Sequence, residues 1–351
     1  MLKISLKHQK IIAIFLEKGT MQSSTLYQEL VNKGEETSLV TVKRALSEMV
    51  VEKIIAVQGL GRATRYDITT IGKLFADIDS KKYCEIEPDR RYGMSGFNFK
   101  LLKEIPDEIF TEEELKELDA ATKKYHERTT SLPASIQKKE LERLIIELSW
   151  KSSKIEGNTY TLLDTEKLIL ENKEAPGHDR KEAIMILNHK DAFNFIHNNT
   201  AQFKAINRVN MEKLHSELVK GLNVGLGLRK YAVGVVGSKY HPLDNGYQIE
   251  ESVKDLSLTV SRLSDSYAMA LIALAGISYI QPFEDGNKRT SRLMANALLL
   301  AHNLAPLSYR SVDENEYREA VLVFYELNSL VPLKQIFIEQ YLFAAVNYAV
   351  K

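Results

Sequence analysis

The segment Gln281-Pro282-Phe283-Glu284-Asp285-Gly286-Asn287-Lys288-Arg289-Thr290-Ser291-Arg292 lies between two apolar runs, one from Leu271 onward and one from Leu293 to Leu300. Apolar spacing on both sides predicts a helix running in, a loop, and a second helix running out. Such a loop suits a polyphosphate. Backbone N–H groups at Gly286, Asn287 and Lys288 stand at a helix start, where the helix dipole favours anions. Lys288, Arg289 and Arg292 add fixed positive charge. Asp285 supplies a carboxylate, a hard ligand for Mg²⁺ shared with phosphates. Three cations, a carboxylate and a Gly-Asn turn within eight residues make an ordinary surface helix terminus the weaker reading.

The segment resembles the signature of the Fic family, His-x-Phe-x-Asp/Glu-Gly-Asn-Gly/Lys-Arg-x-x-Arg. Phe283, Asp285, Gly286, Asn287, Arg289 and Arg292 match it. The stretch 227–243 resembles the family's flap hairpin, in which Val233, Gly234, Val235, Val236 and Gly237 would pair an extended segment of a target protein. Leu214 to Leu218 resembles the helix before that flap. Ser152-Ser153-Lys154-Ile155-Glu156-Gly157 resembles the family's inhibitory motif, at the end of an amphipathic helix over about 135–156. On its own that stretch also reads as a helix C-terminus closed by Gly157. The resemblance implies transfer of AMP from ATP, with Mg²⁺, to a protein hydroxyl. It also implies an ion pair from Glu156 to Arg292 that denies this arginine to the γ-phosphate.

Two positions depart from the family. Gln281 stands where the family has its catalytic histidine, the general base. An amide can orient a hydroxyl but has no usable pKa near neutrality. Lys288 stands where many members have glycine, and the Doc branch, a γ-phosphate kinase, also reads Asn-Lys-Arg. Arg292 fits the AMP-transferring branch. His241 is a nearby histidine whose bland reading is a surface residue. Three functions follow: a slow adenylyltransferase, a catalytically dead nucleotide or protein sensor that regulates through DNA, or a Doc-like phosphotransferase.

The N-terminal region points to DNA. Ile11, Ile12, Phe15 and Leu16 predict a first helix stopped at Gly19, and Leu26 and Leu30 a second, capped by Ser23 or Ser24. Val42, Leu46 and Met49 form the apolar face of a third, capped by Thr37 or Ser38. The period then changes to 2, predicting strands over 54–57 and 64–68 with a tip at 59–62. This order resembles a winged helix-turn-helix domain. Thr41, Lys43 and Arg44 are then placed for the major groove, and Arg62 and Arg65 for phosphates. Residues 1–70 carry ten Lys/Arg against seven Asp/Glu, a weak basic bias. A winged helix used for protein contacts is the alternative, and a homodimer is expected if DNA is bound.

The expected organisation is a winged helix over 1–75, a connector over 76–110 and a Fic domain over 111–350. The fold class is mainly α: an all-helical core with a β-hairpin flap, plus a small α+β head. Thr111 with Glu114 forms a capping box that opens a helix to about His126. The 351 residues carry 47 Lys/Arg and 47 Asp/Glu, so net charge gives no hint of a nucleic-acid or membrane partner. The single cysteine, Cys84, excludes an internal disulfide and fits a reducing compartment. The most apolar stretch, near 267–280, is shorter than the ~20 residues that span a bilayer. The first ten residues lack the apolar run of a signal peptide. A cytoplasmic location, without a membrane, is expected.

Overall fold

A computed structural model describes residues 4–350. The chain divides into two compact units. The first takes the chain up to Pro106 with Val235–His241 and Glu319–Leu333. The second takes Asp107–Gly234, Pro242–Arg318 and the chain from Lys334 on.

In the first unit three helices precede a hairpin: α1 Leu6–Lys18, α2 Ser23–Asn32, α3 Leu39–Val51, then β1 Ile55–Gln58 and β2 Arg65–Ile68. Short helices α4 Thr70–Leu74 and α5 Ser80–Cys84 follow. Gly19 ends α1 at a positive φ of 74°. The Ser38 hydroxyl caps α3 by accepting from the Thr41 N–H at 3.2 Å. The expected apolar faces close one core, with Ile11, Phe15, Leu26, Val42, Leu46 and Met49 all buried. Antiparallel pairing sets Ile55 opposite Ile68 and Gln58 opposite Arg65. A cap at Ser23 or Ser24 is not found; α2 starts one residue earlier, after Gln22. Met21 exchanges both backbone hydrogen bonds with Tyr66, which holds residue 21 extended and lets the helix begin directly after Gln22. The buried Glu326 carboxylate ties the unit together. It accepts from Tyr83 Oη at 2.8 Å, Ser238 Oγ at 2.7 Å and Arg91 Nη1 at 3.2 Å.

The second unit is helical: α6 Glu112–Ser131, α7 Ala134–Ile155, α8 Leu162–Glu171, α9 Arg180–Asn198, α10 Arg208–Leu218, α11 Gly246–Arg262, α12 Ser266–Ile280 and α13 Asn287–Ala301. α14 Glu314–Leu327 and α15 Val331–Asn347 complete the chain. The Thr111–Glu114 capping box forms with both of its hydrogen bonds. α12 is apolar around its whole circumference, which a helix tolerates only when buried on every side. Its residues from Tyr267 to Ile280 are buried apart from Met269.

Among the described residues the fold is mainly α with one two-stranded sheet. The sheet is β1–β2. Within 227–243 the chain reverses through a turn closed by the Ser238 N–H on the Val235 carbonyl, without a strand ladder. Side-chain donors take up carbonyls a ladder would use: Arg229 Nη1 donates to the Tyr231 carbonyl and Arg91 Nη1 to the Gly237 carbonyl. Among the described residues, no helix is long and apolar enough to cross a membrane.

Candidate functional site

α12 delivers the motif and α13 carries it away. Gln281 ends α12 in the left-handed conformation, φ 52°, with its N–H on the Ile277 carbonyl. Its side-chain amide turns back to donate to the Ser278 carbonyl at 2.6 Å, and its own carbonyl accepts from Arg229 Nε at 2.6 Å. Arg229 also donates its backbone N–H to the Pro282 carbonyl at 2.9 Å. Asn287 braces the loop reciprocally. Its amide donates to the Phe283 carbonyl and its oxygen accepts the Phe283 N–H, both at 2.8 Å. Gly286 precedes α13 at φ 78°. A Cβ there would make only ordinary contacts, 3.4 Å from Val219 and 3.5 Å from the Arg289 guanidinium, so it is the left-handed backbone that favours glycine. The first N–H groups of α13, from Asn287 on, have no partner within the helix and face the loop side.

His215 of α10 supports the loop from below. Its ring stacks on Phe283 at 3.9 Å and 5°, and its Nε2 lies 2.9 Å from the Asp285 carbonyl. A carbonyl only accepts, so Nε2 carries the proton. Burial lowers the imidazole pKa, the Asp285 carbonyl partly opposes this, and Arg289 adds to the lowering, so the ring stays neutral. Glu284 accepts the Gly225 N–H at 3.1 Å and ties the preceding loop to the motif.

The cations are disposed unequally. Arg289 is 2 % exposed and donates to the Asp285 carboxylate at 3.3 Å, while the Asp285 side chain is 66 % exposed. Arg292 is fully buried. It donates Nε to Ser152 Oγ and Nη2 to the Ser152 carbonyl, each at 2.9 Å, and Nη2 to Glu156 Oε1 at 2.8 Å. The Tyr317 ring lies 5.5 Å from the same guanidinium. Lys288 Nζ stands 3.8 Å from the other Glu156 oxygen. Burial opposes charge on Glu156, but Arg292 and then Lys288 outweigh it and lower the carboxyl pKa. Burial likewise opposes charge on Arg292, and Glu156 more than offsets it. The structure thus brings together Ser152, Glu156, Lys288 and Arg292; of these contacts the resemblance implied the Glu156–Arg292 pair alone. Gly157, at φ 96°, closes α7 just beyond Glu156, so the helix-stop reading of that stretch holds as well.

Several members of this cluster carried no role in the sequence. Tyr317 covers Arg292, and His215 and Arg229 brace the motif from segments 50 or more residues away. His189 of α9 is fully buried, and desolvation, with the charges of Arg292 and Arg289, keeps its pKa well below the ordinary value. No local pattern marks these residues; only the fold assembles them. His241 has its backbone N–H on the Ser95 carbonyl at 2.7 Å and its Nδ1 3.3 Å from the same oxygen.

In the first unit, Thr41, Lys43 and Arg44 are exposed along one face of α3, and Arg62 and Arg65 are exposed at the hairpin. Arg44 pairs with Glu48 at 3.1 Å one turn away. Of the flap stretch, Val233 and Val235 are half-buried, Gly234 and Gly237 are exposed, and Val236 is 98 % exposed.

Residues 203–299 match the family model described as Fic/DOC family. A protein adenylyltransferase Fic of Nematostella vectensis is 25% identical over 212 residues, 54% of this chain and 46% of that protein. A probable protein adenylyltransferase of Aquifex aeolicus (strain VF5) is 27% identical over 103 residues, 29% of this chain and 32% of that protein. The chain spans less than half the length of these curated relatives. Among solved structures, Fic-1 (residues 134–508) from C. elegans superposes with a TM-score of 0.56 at 18% identity, covering 67% of this chain and 70% of that one. A Fic family protein from Desulfovibrio desulfuricans G20 gives 0.56 at 20% identity, covering 69% and 75%. At these identities the structural likeness is one of fold.

Proposed function

We propose that this chain is a Fic-type protein adenylyltransferase that transfers AMP from ATP to a protein hydroxyl and that Glu156 holds it off. The observation that carries the reading is the pair between the buried Arg292 and the partly exposed Glu156, with Lys288 on the second carboxylate oxygen, beside the start of α13. Phosphates would meet the N–H groups of Gly286, Asn287 and Lys288 and the charges of Arg289 and Arg292. The names of the curated relatives agree.

Asp285 fits Mg²⁺ that arrives with ATP. Its carboxylate is largely exposed at the motif, and among the described residues no cluster of three His, Cys, Asp or Glu offers a protein-only cage. A single protein carboxylate is the usual share for Mg²⁺ on phosphates. When bound, the ion would neutralise charge on the phosphates. In the transfer the target hydroxyl oxygen bonds to the α-phosphorus and pyrophosphate leaves. The hydroxyl proton needs an acceptor, and the Gln281 amide cannot take it. Losing a general base costs about 10²–10⁴-fold in rate, while positioning and charge stabilisation remain. The stretch Val233 to Gly237, half-buried at Val233 and Val235 and exposed at Gly234, Val236 and Gly237, is the proposed seat of the target segment.

A second reading has its own observation. The exposed face of α3 with Thr41, Lys43 and Arg44, beside a hairpin bearing Arg62 and Arg65, suits a winged helix on DNA. On that reading the protein is a nucleotide- or protein-sensing regulator, a homodimer in the cytoplasm. Lys288 suggests a third reading, Doc-like transfer of the γ-phosphate.

Label transfer from α- and γ-labelled ATP with Mg²⁺ separates the three. It compares the wild type, Glu156→Gly, and Glu156→Gly with Gln281→His. Transfer of the α-label once Glu156 is removed is the expected result. Transfer of the γ-label alone overturns AMP transfer in favour of phosphotransfer. Nucleotide-dependent DNA binding with no transfer by any variant supports the regulator.

A further inference from the structure

We infer that the start of α14, Glu314 to Arg318, aligns both halves of the Glu156–Arg292 pair, and that Arg318 is a positioning residue for the inhibitory carboxylate. The inference rests on the inhibitory reading of Glu156 given above.

Glu156 is the residue just past the last turn of α7. The final carbonyls of a helix have no partner within it, so this end is the part most ready to loosen. Here it is held from outside. Arg318 donates Nε to the Ile155 carbonyl at 2.8 Å, and its Nη2 donates to the same oxygen. A guanidinium at the negative end of a helix is also favoured by the helix dipole. One turn earlier in α14, Glu314 takes the Lys151 ammonium in a close ion pair and lies 3.6 Å from that of Lys154. Lys151 is itself buried. Between them in sequence, Tyr317 lies against the Arg292 guanidinium.

The start of α14 therefore grips the segment that carries Glu156 and the arginine that Glu156 binds. Within α7 only backbone hydrogen bonds to Ser153 and Lys154 fix residue 156. The reach of its carboxylate to Arg292 then depends on the position of Ile155, which Arg318 sets. Loosening this contact leaves the phosphate-binding groups untouched and weakens the competitor alone.

The test is ATP affinity by calorimetry on the full chain. It uses Arg318→Ala, Arg318→Lys and Glu314→Gln, each alone and combined with Glu156→Gly. Arg318→Ala is expected to tighten ATP by about 5-fold or more, the scale of a site coupling. Arg318→Lys, which keeps one charged donor, should stay near the wild type. Neither Arg318→Ala nor Glu314→Gln should add anything once Glu156 is gone. A merely structural residue would weaken binding, or change it equally in both backgrounds. Either result, with Glu156→Gly itself tightening ATP, overturns the role of Arg318 and leaves the inhibitory reading standing. If Glu156→Gly binds like the wild type, both fall. If Arg318→Ala melts too low to study, Glu314→Gln decides by the same criteria.

Discussion

Restoring a base at position 281 is the sharpest perturbation of the chemistry. Gln281 occupies a left-handed backbone conformation, which histidine adopts more readily than most side chains. Its amide already donates to the Ser278 carbonyl at 2.6 Å. An imidazole in its place that keeps one N–H on that carbonyl presents the other nitrogen as an acceptor. That nitrogen has an ordinary pKa of about 6.5, and burial beside cationic arginines lowers it further, so it is unprotonated at pH 7. General-base catalysis adds about 10²–10⁴-fold, equal to about 2.7–5.5 kcal/mol of barrier. Gln281→His with Glu156→Gly should exceed Glu156→Gly alone by that factor. The assay is single-turnover transfer of α-labelled AMP onto the protein itself, followed across pH. The double variant should lose rate as pH falls through the imidazole pKa, and the parent should not. Equal rates for the two proteins would refute the claim that the base is what the motif lacks.

Other outcomes follow from the same geometry. Asp285→Ala should remove the Mg²⁺-dependent part of ATP binding, measured with and without EDTA; an unchanged Mg²⁺ dependence counts against the metal role. The lowered Glu156 pKa means the pair is fully present above the ordinary carboxyl value of about 4.3 and is lost as pH falls through the lower folded value. The affinity ratio of Glu156→Gly to wild type should therefore be flat from about pH 8 to about pH 5; a ratio that drifts across that window contradicts the pairing. Lys43→Ala with Arg44→Ala should weaken binding of a labelled duplex at low salt and lower the salt slope by about 0.9 for each phosphate that is no longer neutralised. Fluorescence anisotropy with no change would assign that face to protein contacts.

Sequence reading reaches furthest where local rules decide. The motif loop, the Gly286 start of α13, the Thr111 capping box and the apolar faces of α1 to α3 depend on neighbours within a few residues, and the structure has them all. It stops short where distant partners decide. α6 continues past His126 to Ser131, where Arg128 bonds the Val346 carbonyl and the Gln137 amide bonds the Thr129 carbonyl. The 227–243 segment reads as a ladder from its alternating valines and glycines, but several of its backbone groups are bound by Arg91, by Arg229 and by the Pro282 carbonyl. The grip of Glu314 and Arg318 on the inhibitory segment spans some 160 residues and leaves no periodic trace. The family pattern supplied Glu156 and Arg292 as partners; the burial of Arg292 and the additional partners of both come from the fold.

The most direct measurement of the central claim is nucleotide affinity of the wild type against Glu156→Gly, for ATP and for AMP. A hydrogen bond between charged groups contributes about 1.5–3 kcal/mol, so freeing Arg292 should tighten ATP by roughly 10- to 150-fold. AMP has no γ-phosphate to reach that arginine and should bind both proteins alike. Equal ATP affinities, or an equal gain for AMP, would contradict the account.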